Sequence, residues 1–243
     1  MTPSTVPLLY SYRRCPYAMR ARMALLVAGI EFDALEIVLR DKPAALLALS
    51  PKGTVPVLHR VDGGVIEQSL DIVRWALGAN DSRRWWARAQ SDENLALLAA
   101  CDGPFKHHLD RYKYPERFEN ADRALHRAAA VEVLLKPLDA RLQRAALLGG
   151  DSPCATDIAL FPFVRQFAAV DPAWFGALPL PALKPWLSAW LGHPLFEAAM
   201  TRLPAGEVVR FPPFNAAGSA WPGPPEPPSA SSAANLRSPD PNT

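Results

Sequence analysis

Leu8-Leu9-Tyr10-Ser11-Tyr12-Arg13-Arg14-Cys15-Pro16-Tyr17-Ala18-Met19 is the stretch from which the fold can be read. Its first five residues are a short apolar and aromatic run closed by two arginines, the length and flavour of a buried strand. Pro16 stands where a helix takes its first residue, because proline's fixed φ suits that turn and its missing N–H has no partner to lose there. Met19, Met23, Leu26, Val27 and Ile30 then recur at helical steps, and Gly29 punctuates the pattern. Cys15 therefore falls at the cap of this helix. A thiol so placed faces unpaired amides and the positive end of the helix dipole, and Arg13, Arg14, Arg20 and Arg22 add positive charge nearby, all of which favour a thiolate.

Working outward, Phe32 to Leu39 reads as a second strand and Lys42 to Leu49 as a short helix. A Ser50-Pro51-Lys52-Gly53 turn leads into Thr54-Val55-Pro56-Val57-Leu58, then Asp62-Gly63-Gly64 turns the chain into a brief Val65-Ile66 strand. A helix from about Gln68 to Leu77 closes a βαβαββα unit. Pro56 removes a ladder donor, which puts it at a strand start or edge and makes it a candidate for a cis bond. From about Ser91 onward helical periods take over. Leu95, Leu98, Cys101, Phe105 and Leu109 mark one long helix, with a kink or break expected at Asp102-Gly103-Pro104. Leu125, Ala128, Val131, Leu135, Leu138 and Leu142 mark a second, bent by Pro137, and Trp186, Trp190 and Phe196 sit among shorter helices. The predicted organisation is an α/β domain over residues 1–79, a linker over 80–90, an all-α domain over 91–211 and a tail over 212–243.

Composition narrows the function classes. The 243 residues carry 26 Lys plus Arg against 24 Asp plus Glu, a net charge of +2 that names no polyanionic partner, and 49% are hydrophobic, enough for an ordinary core. Every apolar run is broken long before the roughly 20 residues a membrane helix needs, and the first residues show no export signal, so a cytoplasmic, non-membrane protein is expected. Three cysteines, Cys15, Cys101 and Cys154, make no disulfide framework. Nine of the 26 prolines fall in residues 212–243 together with five serines, which reads as a disordered or polyproline-like tail, with Trp221 the residue able to dock back.

The strand, Cys15-Pro16-Tyr17-Ala18 at a helix start, Thr54-Val55-Pro56-Val57-Leu58, and Gln68-Ser69 opening a further helix together resemble a glutathione transferase of the cysteine type, the omega-like and glutaredoxin-like branch. Cys154-Ala155-Thr156-Asp157 is similar to the capping box that family keeps early in a core helix of its second domain, with Cys154 where Ser or Thr is usual, Ser152 an alternative cap, and Asp157 structural. The resemblance implies a thioredoxin-like first domain and an all-helical second one. It also implies glutathione as co-substrate, a homodimer, and Cys15 as the catalytic residue. Val55 and cis Pro56 would hold the cysteinyl part of glutathione, Gln68 and Ser69 its γ-glutamyl end, and Lys52 or Lys42 its glycyl carboxylate, with Glu67 a lesser candidate. Tyr17, His108 and Tyr112 are the candidates for the second-substrate pocket.

Ala18 stands where a dithiol pair would have its second cysteine, so local two-thiol chemistry is excluded. The expected activity is thiol transfer, the reduction of glutathione mixed disulfides and of dehydroascorbate. Conjugation of glutathione to small electrophiles, for which Tyr10, Ser11 and Tyr12 lie close in sequence, and a non-catalytic glutathione-fold binding module are the alternatives. The polar segment Lys106-His107-His108-Leu109-Asp110-Arg111-Tyr112-Lys113-Tyr114 reads as a solvated helix face. Adjacent His107 and His108 point to different faces and no partner follows at the i,i+4 spacing, so no metal is expected there. Asp110 and Glu116 interrupt the basic run, and no nucleic-acid partner is expected.

Overall fold

A computed structural model describes residues 5–214. The predicted βαβαββα order is present as β1 (Leu8–Ser11), α1 (Pro16–Val27), β2 (Asp33–Glu36), α2 (Ala44–Leu49), β3 (Val57–His59), β4 (Val65–Ile66) and α3 (Ser69–Ala79). β1 pairs parallel with β2 and antiparallel with β3, which pairs antiparallel with β4. Strand alternation splits the core. Leu9, Ala34 and Leu58 face the large cluster beneath α1 and α3, whereas Tyr10, Leu35 and Val57 face the other way and close a smaller cluster with Leu46 of α2. Gly29 ends α1 at φ +65, with its own N–H bonded to Leu26 O and that of Ile30 to Leu25 O.

The helical part runs α4 (Trp85–Arg88), α5 (Asp92–Ala100), α6 (Lys106–Lys113), α7 (Arg123–Ala130), α8 (Lys136–Leu142), α9 (Ala155–Ala168), α10 (Pro172–Ala177), α11 (Leu183–Leu191) and α12 (Pro194–Ala199). α4 lies inside the stretch read as a linker, and its Trp85 is buried edge-on to Trp190. The kink or break expected at Asp102-Gly103-Pro104 takes the form of a π-turn, Cys101–Phe105, that carries α5 into α6 without a break, and a second π-turn, Val131–Leu135, joins α7 to α8 just before Pro137. A π-turn reaches one residue further for its hydrogen bond, which makes room for a proline ring and inserts an extra residue. That extra residue rotates the preceding turns. Leu95 and Leu125, expected on the buried stripes, are therefore exposed, while Leu97 and Ala130 are buried.

The expectation of an all-α region through residue 211 is corrected at its end. Val208–Arg210 forms β5, which pairs antiparallel with β2 and makes the sheet order β4-β3-β1-β2-β5. Arg210 bonds Asp33 Oδ1 at 2.7 Å and Glu31 Oε2 at 3.1 Å, and Phe211 stacks on Phe32 at 4.7 Å. Three residues are too few to show a period of two, so only the pairing reveals the strand. Phe214, within the expected tail, packs on the core. From residue 215 the tail, Trp221 included, lies outside the described residues. No helix among those described is long and apolar enough to cross a membrane.

Candidate active site

The N-termini of α1 and α3, the turn before β3, and the Asp102-to-Arg117 stretch of the helical domain surround an open cleft of about 920 Å³. Cys15 is the N-cap of α1, with Pro16 at the first helical position. Its N–H donates to Tyr12 O at 2.9 Å, which fixes the corner. Its Sγ is half-buried in the cleft wall and donates to Val55 O at 3.6 Å, across a Val55–Pro56 bond that is cis. The sulfur thus sits against the backbone of the very turn that the sequence placed beside it.

The electrostatics differ from the sequence expectation. Burial pushes the Cys15 thiol above its ordinary value, and the opposing pulls come from the amides of Ala18 and Tyr17 and from the cations of Lys106 and Arg20. The helix cap acts as expected, but desolvation outweighs it. Cys101 is fully buried and pushed up to about 12 by desolvation, and Cys154 is likewise raised by burial and by the neighbouring Asp157. All three cysteines are free, and Cys15 alone of them lines the cleft.

Arg20 ties the first domain's ligand-facing end to the helical domain. Its side chain is fully buried and forks onto Asp102 through two hydrogen bonds of 3.0 and 2.8 Å. The same guanidinium donates to Ala159 O of α9 and, at 3.1 Å, to Ser69 Oγ, and it lies 4.7 Å from the centre of the Phe163 ring. Ser69 Oγ therefore accepts from an arginine and keeps its own proton to donate into the cleft. Gln68 is the N-cap residue of α3 with no cap bond from its side chain, so its amide is available to the cleft. Arg22, counted with Arg20 from the sequence, points the other way, onto Ser11 Oγ, Glu36 and Ala199 O.

Cys15, Tyr17, Lys42, Val55, Pro56, Gln68 and Ser69 all line the cleft, and Lys52, His108 and Tyr112 do not. Lys52 is largely exposed and pairs at 3.7 Å with Glu67, whose other oxygen accepts from Ser50 Oγ, which leaves Lys42 as the cleft lysine of the first domain. Gly53 turns at φ +58 between them, and a Cβ there would meet Leu47 Cδ2 at 2.9 Å and the Lys42 side chain at 3.2 Å, so the turn's close approach to Lys42 requires glycine. On α6, Lys106, Asp110 and Lys113 share the cleft face at helical spacing, which turns His108 and Tyr112 away from it. Tyr112 is buried against Phe167, and His108 faces His126. Ser11 and Tyr10 are buried in the body, and Tyr12 alone of that trio reaches the cleft. The sequence reading missed Asp102, Lys106 and Gln166, which line the cleft from the helical domain. The absence of a metal cluster was argued from local spacing alone, and the structure brings His126 across from α7 to His107 and His108. Asp157 is structural as expected: Cys154 itself is the N-cap with both halves of the capping box formed, and the carboxylate also accepts from Leu148 N and Trp186 Nε1.

A thioredoxin-like sheet carrying a cysteine at a helix cap, joined to a helical domain that completes the cleft, is the arrangement of the glutathione transferases. Residues 9–84 match the family described as glutathione S-transferase, N-terminal domain. The first domain is accordingly a glutathione S-transferase N-terminal domain, and the chain as a whole has the glutathione transferase fold. The chain is 27% identical over 193 residues to glutathione S-transferase omega-1 of Mus musculus, an overlap of 77% of each chain. It is also 44% identical over 59 residues to a probable glutathione transferase of Aplysia californica, covering 24% of this chain and 62% of that one. Among solved structures, a glutathione transferase of Phanerochaete chrysosporium in complex with oxidized glutathione superposes with a TM-score of 0.67 at 18% identity, covering 82% of this chain and 96% of that one.

Proposed function

We propose that this protein is a glutathione-dependent thiol transferase that works through Cys15 alone. The observation that carries the reading is the placement of Cys15 Sγ in the cleft, 3.6 Å from Val55 O, beside Ser69 and Gln68 at a second helix start. Glutathione bears two carboxylates and one ammonium. The γ-glutamyl carboxylate fits the Ser69 hydroxyl, backed by Arg20, and the α3 N-terminus; the ammonium fits Asp102; the glycyl carboxylate fits Lys42. Bonding to the Val55 backbone would bring the ligand's sulfur to Cys15. The relative named glutathione S-transferase omega-1 and the solved structure that holds oxidized glutathione support glutathione as the ligand.

In the first step the Cys15 thiolate attacks the glutathionyl sulfur of a mixed disulfide. A Cys15–glutathione disulfide forms, the substrate's S–S bond breaks, and the released thiolate takes up a proton. A second glutathione thiolate then attacks the adduct on its glutathione sulfur, releasing glutathione disulfide and regenerating Cys15. Dehydroascorbate is a further substrate of this reading, which also takes the protein to be a homodimer of the cytoplasm, where free thiols persist. Parallel assays with a glutathionylated peptide and with an electrophilic aryl halide test the proposal. The expected result is turnover of the disulfide and intact-mass capture of one glutathione on Cys15. Turnover of the electrophile alone would make the protein a conjugating transferase, and turnover of neither would make it a binding module.

A further inference from the structure

We infer that His107, His108 and His126 form a binding site for a divalent transition-metal cation at the corner between α6 and α7, outside the cleft. The three side chains each offer a ring nitrogen, and these atoms lie within 4.8 Å of one another. Two come from α6 and the third from α7, so the cluster is made by the packing of the two helices and not by local spacing. His108 Nδ1 and His126 Nδ1 are 2.8 Å apart, and the ring centres are separated by 5.1, 5.8 and 5.1 Å. A tetrahedral zinc site with Zn–N bonds of about 2.0–2.1 Å needs nitrogens roughly 3.3 Å apart, a spacing inside the range the cluster already spans. Parting His108 from His126 by about half an ångström, with the shared hydrogen moving to Nε2, opens that geometry without the loss of a proton from either ring.

The donor set selects the class of ion. Three imidazole nitrogens with no carboxylate among them suit zinc, nickel or copper and do not suit magnesium or calcium, which take oxygen ligands. Asp122, on the N-cap of α7, accepts from Ala124 N and Leu125 N through Oδ1. Three protein ligands leave a fourth position for water, because the site opens to solvent on the His107 side. Arg111 Nη1 donates to His107 Nδ1 at 3.0 Å, so that nitrogen carries its lone pair outward. The guanidinium, already 4.3 Å from the centre of the Phe118 ring, yields its place at His107 when the ion enters. An ion here clasps α6 to α7 from behind, while the opposite face of α6 presents Lys106, Asp110 and Lys113 to the cleft.

The test uses the full chain, free of any affinity tag, in a Cys15→Ser background and without glutathione, so that neither thiol competes for the metal. Zinc chloride titrated by calorimetry should bind one equivalent, and saturation at a hundredfold excess over Kd should raise the melting temperature by about 5 to 10 °C. His126→Ala should weaken binding at least about tenfold, or about 1.4 kcal/mol. It should also abolish the intense visible absorption that tetrahedral cobalt(II) gives in the parent, while circular dichroism verifies that the variant is folded. His59→Gln, on the distant strand β3, should leave both signals unchanged. Zinc, nickel and copper all failing to bind up to about 1 mM, or equal affinity in the His126→Ala variant, would overturn the site, as would an equal loss in His59→Gln.

Discussion

The two walls of the cleft are built differently. On the first domain's side the working parts are mostly backbone and helix starts: Cys15 at the cap of α1, the Val55 carbonyl, the amides that open α3. On the helical side they are side chains projected from long helices, Asp102, Lys106, Asp110 and Lys113, whose direction depends on the π-turn Cys101–Phe105 and on how α5 and α6 pack on α9. A backbone-built wall tolerates change in all but a few residues, and those few form short motifs. A side-chain wall is set by rotation about a helix axis, where one inserted residue turns every group by about 100°. The first wall can fix the common co-substrate, and the second is free to vary what is brought to it.

The sharpest way to break this contrast is at the sulfur. Cys15→Ser should lower reduction of a glutathionylated peptide by about a thousandfold or more, since serine cannot form the disulfide intermediate, and intact mass should show no glutathione adduct. Full reductase activity, or an adduct on Cys154, would remove the backbone wall from the chemistry altogether.

Next in size is Arg20, a side chain that joins both walls. Arg20→Ala leaves Asp102 without its cation and Ala159 O without two donors, at an expected cost of about 3 to 5 kcal/mol in urea unfolding. A loss below about 1 kcal/mol would mean that the domains are held together without it.

Ser69→Ala probes the backbone wall's ligand grip. It should weaken glutathione binding by about 1 to 3 kcal/mol in calorimetry with little change in melting temperature. Unchanged affinity would move the γ-glutamyl end elsewhere in the cleft.

The smallest effect concerns how the side-chain wall tunes the sulfur. Only the thiolate is alkylated, and burial holds the Cys15 thiol above its ordinary value, so the iodoacetamide rate should climb through neutrality and still be rising near pH 9. Lys106→Ala removes a charge that favours the thiolate and should shift the profile to higher pH, with a few-fold slower reaction at about pH 8. A rate already level by about pH 7 would show that the helix cap and the cations outweigh desolvation after all.

The βαβαββα order, the cap position of Cys15, the Val55-Pro56 turn and the Gln68-Ser69 helix start were all legible in the chain before it folds. Each depends on contacts between near neighbours, and residues such as Pro16, Gly29, Gly53 and Pro56 have few conformations to choose from. The capping role of Asp157 was legible for the same reason, three residues from the amide it bonds. Features that depend on rotation, distance or desolvation waited on the packing of the elements. The π-turns moved the buried stripes off Leu95 and Leu125; rotation about α6 put Lys106, Asp110 and Lys113 in the cleft and left His108 and Tyr112 out of it; β5 emerged only by pairing with β2; and His126 met His107 and His108 only because α7 packs on α6. Lys42 and Lys52 looked equivalent until the Gly53 turn put one in the cleft and the other on Glu67. The cap predicted a lowered thiol pKa for Cys15, but desolvation, which sums over everything packed around the sulfur and leaves no local trace in the chain, raised it.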